Sequence, residues 1–279
     1  MKHLSELDSF ANSWSVWKPE IKKKLGATAT AHSVFDLGDH LSDIFRSNTV
    51  TGRDNAALSQ GGTAWECLVC WYLNLVLWGT NTIAIRPHSN FLPPVVKDAL
   101  TVSIQNHQTN TESDLVVLSI PKSDALSSPS LEQIDLLIRS KTGHVGISVV
   151  QCKTNWNDNS QIPMLWDLIY NSSSFRIPNV SVGRNGVSPS SFKNFTYAFV
   201  TVPTSRGQFT STKLPVLRVR GLTGGNYWGH PTSAGVARSL KEFFTANFAN
   251  SFSGTVQNHI SDSLLTEPAV LKSFVDLEF

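Results

Sequence analysis

Two polar side chains, Gln151 and Lys153, end an otherwise apolar and β-branched run at residues 145–153. A second apolar run, at residues 134–140, carries one acid, Asp135, and the residues between the two runs have turn chemistry. Both runs are apolar on both faces, which predicts central strands of a buried sheet joined as an antiparallel hairpin. Such a hairpin brings Asp135 close to Gln151 and Lys153, which share one face because side chains alternate with period two.

A carboxylate, an amide oxygen and an ammonium group at one strand end suit a hard metal ion beside an anionic substrate. Mg²⁺ takes oxygen ligands, few of them from protein, and keeps positions for water and phosphate. Lys153 is suited to orient an attacking water or to neutralise charge that builds on a phosphorane. Polar groups inside a sheet are costly unless something there requires them, so we expect a metal site. The alternative is an Asp–Lys salt bridge with a purely structural role.

This arrangement resembles the PD-(D/E)xK nuclease superfamily, in particular its type II restriction endonucleases, over about residues 65–202. There a hairpin carries an Asp on one strand and an acid-x-Lys sequence on the next. The chain departs from that pattern twice, because Ile134 stands where the family has proline and Gln151 replaces the usual acid. Gln is a known variant at that position, but the lost negative charge leaves the number of metal ions open.

The resemblance implies a fold, an activity and partners. The fold is α/β, a mixed central sheet of five or six strands flanked by helices, with a helical N-terminal part. The activity is Mg²⁺-dependent hydrolysis of double-stranded DNA at a specific short sequence. The partners are a second copy of the chain in a homodimer and a DNA methyltransferase that acts on the same site without binding the nuclease.

The resemblance also assigns roles to individual residues. Asp135 binds the metal through its carboxylate and Gln151 through its side-chain oxygen. The backbone carbonyl of Cys152 is a third ligand, and Lys153 positions the water.

Two further acids are candidates for the same site. Glu66 lies near the start of an apolar helix at residues 64–78, and the resemblance makes it either a second metal ligand or a residue that supports the metal site. Its alternative role is to stabilise the N-terminus of its own helix through the helix dipole. Asp114 opens the strand expected at residues 113–120 and is the alternative metal ligand to Asp135. Asp135 is preferred because the turn after its strand is tight.

The net charge of +2 hides a segregation of charge along the chain. No acidic residue lies between Asp167 and Glu242, whereas nine of the 23 lysines and arginines do. Such segregation predicts a surface that faces a polyanion; a solvated basic face is the alternative. The residues expected to contact DNA are Asn155, Trp156, Asn157, Arg184, Arg206, Arg218, Arg220, Asn226 and His230.

Composition is that of an ordinary globular chain, with 279 residues, 41% of them hydrophobic and 16% charged. We expect one nuclease domain, with a helical part at 1–48, a catalytic core at 60–205 and a recognition or dimerisation part at 206–279.

Three cysteines give no disulfide framework, the N-terminus has no apolar secretion signal, and the most apolar segment is too short to span a bilayer. These features favour a reducing cytoplasm, and the resemblance to restriction endonucleases implies that of a prokaryotic cell.

Local patterns predict the other elements. Helices are expected at 4–25, 34–45, 163–170 and 235–248, and strands at 83–86, 99–104, 194–202 and 215–219. Two other function classes stay open: a nuclease of the same superfamily that acts in repair or on structured DNA, and a non-catalytic DNA-binding protein.

Overall fold

The computed structural model describes residues 4, 7–48, 55–87, 90–105, 107–110, 113–121, 130–154, 179–201, 210–222, 226–229 and 236–277. Its helices are α1 (Asp8–Leu25), α2 (Ala31–Ser47), α3 (Asn55–Val76), α4 (Pro94–Leu100), α5 (Leu131–Ser140), α6 (Leu214–Leu222), α7 (Leu240–Phe248), α8 (Val256–Thr266) and α9 (Pro268–Val275). Its strands are β1 (Thr82–Ile85), β2 (Thr101–Ile104), β3 (His107–Asn110), β4 (Leu115–Ser119), β5 (Gly146–Lys153), β6 (Val180–Val182), β7 (Asn194–Thr201) and β8 (Tyr227–Gly229).

A five-stranded mixed sheet forms the centre of the fold, in the order β1-β4-β5-β7-β8. β1, β4 and β5 are antiparallel neighbours, whereas β5, β7 and β8 run parallel to one another. A separate small antiparallel sheet has the order β3-β2-β6. The prediction of an α/β fold with a mixed central sheet flanked by helices is therefore confirmed.

The two faces of the central sheet pack against different helices. Helices α1–α3 and α7–α9 cover one face, where Val150 and Val200 join a large aromatic core. Helices α4 and α5 cover the other face, over Ile147 and Val149. Each large apolar side chain that is fully buried contributes about 1.5–3 kcal/mol. The fully buried aromatic side chains of the larger core include Phe10, Trp14, Trp17, Trp65, Trp71, Phe243 and Phe244.

Helix α3 also protects the outer edge of the sheet, at β1. The side-chain amide of Asn74 accepts a hydrogen bond from the backbone N–H of Ala84 (3.0 Å) and donates one to its carbonyl (2.9 Å). The hydroxyl oxygen of Thr80 accepts the N–H of Thr82 at 3.1 Å. An edge strand otherwise leaves such groups open to another chain. These side chains satisfy the backbone groups of β1 with which no further strand pairs in the described part of the chain.

The predicted hairpin of residues 134–140 and 145–153 is wrong in its first half, because residues 134–140 belong to helix α5. Ser130 and Gln133 cap the helix reciprocally, each side chain bonding the other's backbone N–H. This is a capping box, which satisfies two N–H groups that a helix start leaves unpaired. Asp135 and Arg139 then form an ion pair at helical spacing. The second half of the prediction is confirmed by β5.

Three other local predictions need correction. Residues 215–219 lie in helix α6, which has a proline in its first turn, and not in a strand. Residues 99–100 end helix α4, so the strand predicted there begins only at Thr101. The helix predicted at 235–248 begins at Leu240. The helix predicted at 163–170 lies outside the described residues.

No helix in the ranges described above combines the length and the apolarity that crossing a lipid bilayer requires.

Candidate active site

Asp114, and not Asp135, is the acid that meets Gln151 and Lys153. β4 pairs antiparallel with β5, with Leu115 opposite Val150, so the residue before β4 lies beside the end of β5. The Oδ2 atom of Asp114 accepts hydrogen bonds from the side-chain amide of Gln151 and from the backbone N–H of Cys152, the latter at 2.7 Å. The Nζ atom of Lys153 lies 3.9 Å from the same oxygen. Asp114, expected as the alternative to Asp135, thus lies beside Gln151 and Lys153.

A second ion pair, between Glu66 and Arg86, borders this group. Arg86 directly follows β1, which runs antiparallel to β4, so it lies at the same end of the sheet as Asp114. Its Nη2 atom donates to the Oε2 atom of Glu66, on helix α3, at 2.8 Å. The side chain of Arg86 is only 9% exposed and that of Glu66 only 18%. Ile85 pairs with Val116, so Arg86, with Glu66 bound to it, lies beside the start of β4, next to Asp114.

Burial makes the carboxyl group of Asp114 an unusually weak acid. Its side chain is 14% exposed, and desolvation raises the pKa of Asp114 from 3.8 to about 7. The cations Lys153 and Arg86 and the N–H of Cys152 lower this pKa, whereas the negative charge of Glu66 raises it further. A carboxyl group with such a pKa, at the end of a central sheet, is typical of functional sites.

The raised pKa predicts how stability depends on pH. Between pH 4 and 7 the folded protein keeps the proton on Asp114 while the unfolded chain has lost it, so stability falls as pH rises. The fall is at most about 1.4 kcal/mol per pH unit. We expect metal-free wild type to lose stability relative to Asp114→Asn between pH 4.5 and pH 7.5, measured by thermal unfolding in EDTA. If the difference in stability between the two proteins does not change with pH, the raised pKa of Asp114 is contradicted.

Asp135 serves a different network. Its Oδ1 atom accepts the backbone N–H of Val95 at 2.6 Å, and its Oδ2 atom accepts the Nε–H of Arg139 at 2.7 Å. Arg139 also reaches Asp98 at 3.3 Å. These contacts join helices α4 and α5, which lie on one face of the sheet. The structure therefore does not bring Asp135 to Gln151 and Lys153.

The described residues of the expected DNA surface have varied environments. The Nε atom of Arg184 donates to Asp98 at 2.5 Å. The side chain of Asn226 exchanges hydrogen bonds with that of Asn247 and donates to the carbonyl of Tyr197. Both side chains thus have hydrogen-bond partners within the protein.

The remaining residues of that surface fall into two groups. Arg218 and Arg220 lie on helix α6, where Arg220 is exposed and Arg218 is half-buried. In the predicted strand, Arg218 and Arg220 would share one face, whereas residues two apart in a helix point in different directions. The other five lie outside the described residues: Asn155, Trp156, Asn157, Arg206 and His230.

The donor set fits a hard divalent cation. Asp114 and Glu66 supply carboxylate oxygens and Gln151, which is 1% exposed, supplies an amide oxygen. Gln151 directs its amide nitrogen to Asp114 and its oxygen towards the hydroxyl of Tyr197, at 3.4 Å. Its amide must therefore rotate before the oxygen can bind a cation. Within the described part of the chain, no three His, Cys, Asp or Glu side chains gather as a metal site.

The cysteines near the site are poor ligands. Burial raises the pKa of Cys67 and of Cys70 to about 12, and that of Cys152 well above its ordinary value. A metal ligand must be the thiolate, so these residues act as small buried side chains. The oxygen donors remain the candidates.

Neither a scan of family models nor a search of curated proteins finds a match to this chain.

Proposed function

We propose that the protein is a Mg²⁺-dependent nuclease of the PD-(D/E)xK type and that it cuts double-stranded DNA at a specific sequence, as type II restriction endonucleases do. One observation carries the proposal: Asp114, Gln151 and Lys153 converge where β4 begins and β5 ends. Asp114 takes the role that the sequence pattern assigned to Asp135. The fold supports the proposal, because a mixed sheet flanked by helices carries this group at its end.

The proposed roles follow from the chemistry of each side chain. Mg²⁺, when bound, supplies Lewis-acid stabilisation of the scissile phosphate. Asp114 holds the cation through its carboxylate, and Gln151 adds a neutral oxygen. Lys153 donates a hydrogen bond to the attacking water and neutralises the negative charge that builds on the oxygens of the pentacoordinate phosphorus. Because Gln151 carries no charge, we expect cation binding to be weak until DNA adds its own phosphate oxygens.

The DNA surface is the second part of the proposal. The acid-free stretch with nine basic residues supports a partner of high negative charge. A homodimer on a two-fold symmetric target, and a methyltransferase that protects the same target, belong to this proposal through the family resemblance alone.

A plasmid cleavage assay tests the proposed function. Purified protein is incubated with several unmethylated plasmids in Mg²⁺, and with EDTA as the control. We expect discrete fragments that appear only with Mg²⁺. A smear would show a nuclease without sequence specificity and would contradict the restriction activity. No cleavage of any plasmid would contradict nuclease function and would leave a DNA-binding protein as the better description.

A further inference from the structure

The two acids of the site each face a cation of the protein. Asp114 has Lys153 at 3.9 Å, and Glu66 has Arg86 at 2.8 Å. The Glu66–Arg86 pair is the closer and the more buried, and Arg is always charged in proteins. The carboxylate of Glu66 is therefore neutralised before any metal ion arrives.

The sum of charges decides how many dications the site tolerates. When Asp114 binds a cation as a carboxylate, its charge and those of the Glu66–Arg86 ion pair and Lys153 sum to zero before the charge of the cation is added. One divalent cation gives it two positive charges to face a phosphate. A second would double that charge in a largely buried site, where like charges repel far more strongly than in water. A second ion would also have to displace Arg86 from Glu66.

Resting on the proposed function, we infer that Arg86 takes the place of a second metal ion. It holds Glu66 as a neutral partner, so that the site binds one divalent cation through Asp114 and Gln151. Arg86 is then a positioning residue that acts through Glu66. A different role for the pair is to fasten helix α3 to the end of β1, and that role would leave cation binding unchanged when the pair is removed.

Counting bound Mn²⁺ separates these roles. The electron paramagnetic resonance signal measures free Mn²⁺, and subtracting it from the total Mn²⁺ gives the number of ions bound per chain. Protein and Mn²⁺ are both kept well above the dissociation constant, so that the site is saturated. We expect one ion for wild type and two for Arg86→Gln, because the freed Glu66 carboxylate then joins the site. The double variant Arg86→Gln, Glu66→Gln should return to one ion. Arg86→Lys, which keeps the cation, should also bind one.

The outcomes that overturn the inference are distinct from those that overturn the function. Two ions on wild type, or one ion on folded Arg86→Gln at unchanged affinity, would disprove the role of Arg86 while leaving nuclease function intact. No Mn²⁺ on wild type, together with no plasmid cleavage, would disprove both. If Arg86→Gln fails to fold, Glu66→Gln replaces it. We expect its single Mn²⁺ to bind more weakly than on wild type, because the charge of Arg86 is then uncompensated, and an unchanged affinity would contradict the inference.

Discussion

Replacing Asp114 by Asn is expected to lower the cleavage rate by about a thousandfold or more. Asn keeps the shape of the side chain and an oxygen for the N–H of Cys152, which Asp114 now accepts at 2.7 Å. It removes the charge that holds the divalent cation. The measurement is the single-turnover cleavage rate of a plasmid in saturating Mg²⁺. Unchanged circular dichroism would show that the variant is folded.

Asp135→Asn is the matched control, since it makes the same substitution at the acid that the sequence pattern favours. It weakens the contact to Arg139 at 2.7 Å and should lower the melting temperature, yet the folded protein should cleave at nearly the wild-type rate. The reverse result, with Asp114→Asn active and Asp135→Asn folded but inactive, would disprove the proposed site.

Lys153→Met is expected to reduce cleavage by about a hundredfold to a thousandfold while Mn²⁺ binding is kept. The methionine preserves the apolar stem of the side chain, and loss of the ammonium group, 3.9 Å from Asp114, removes a charge that competes with the cation. The paired measurements are the single-turnover rate and the bound Mn²⁺. Lys141→Met, at an exposed lysine outside the acid-free stretch, is the control. A Lys153→Met rate above a tenth of wild type would show that this lysine is not catalytic.

The central strands were predictable because their sequences favour only one structure. β5 and β7 are continuous apolar runs rich in β-branched and aromatic residues, and both are found where the pattern predicts them. Gln151 and Lys153 were identified for the same reason, since polar side chains at the end of a buried strand stand out. What the pattern could not decide is which strand lies beside β5.

The error at Asp135 came from taking a short apolar segment for a strand. Residues 134–140 are apolar enough to pass for a buried strand, and over so few residues apolarity alone does not distinguish a strand from a helix. The decisive signal lies just outside the segment: Ser130, followed three residues later by Gln133, forms a capping box. The spacing of Asp135 and Arg139 also fits a helix. With that helix assigned, the predicted strand that precedes β5 most closely in the sequence is the one that Asp114 opens.

The ion pair of Glu66 with Arg86 could not be predicted from sequence. The partners are twenty residues apart and come from a helix and a strand end. Their contact depends on how helix α3 packs on the sheet, which local patterns do not contain. The same holds for the contacts of Arg184 with Asp98 and of Asn226 with Asn247, two residues that the sequence places among the expected DNA contacts.

The contacts of Asn74 with both polar backbone groups of Ala84 have a consequence for self-association. A bare edge strand can recruit another polypeptide by strand addition, which leads to amyloid-like stacking or to domain exchange between copies. Here one amide from a buried helix saturates the middle of that edge, so strand addition at β1 would first have to break two hydrogen bonds inside the monomer. Any dimer that the protein forms is therefore more easily built from its other surfaces than by joining two sheets at β1.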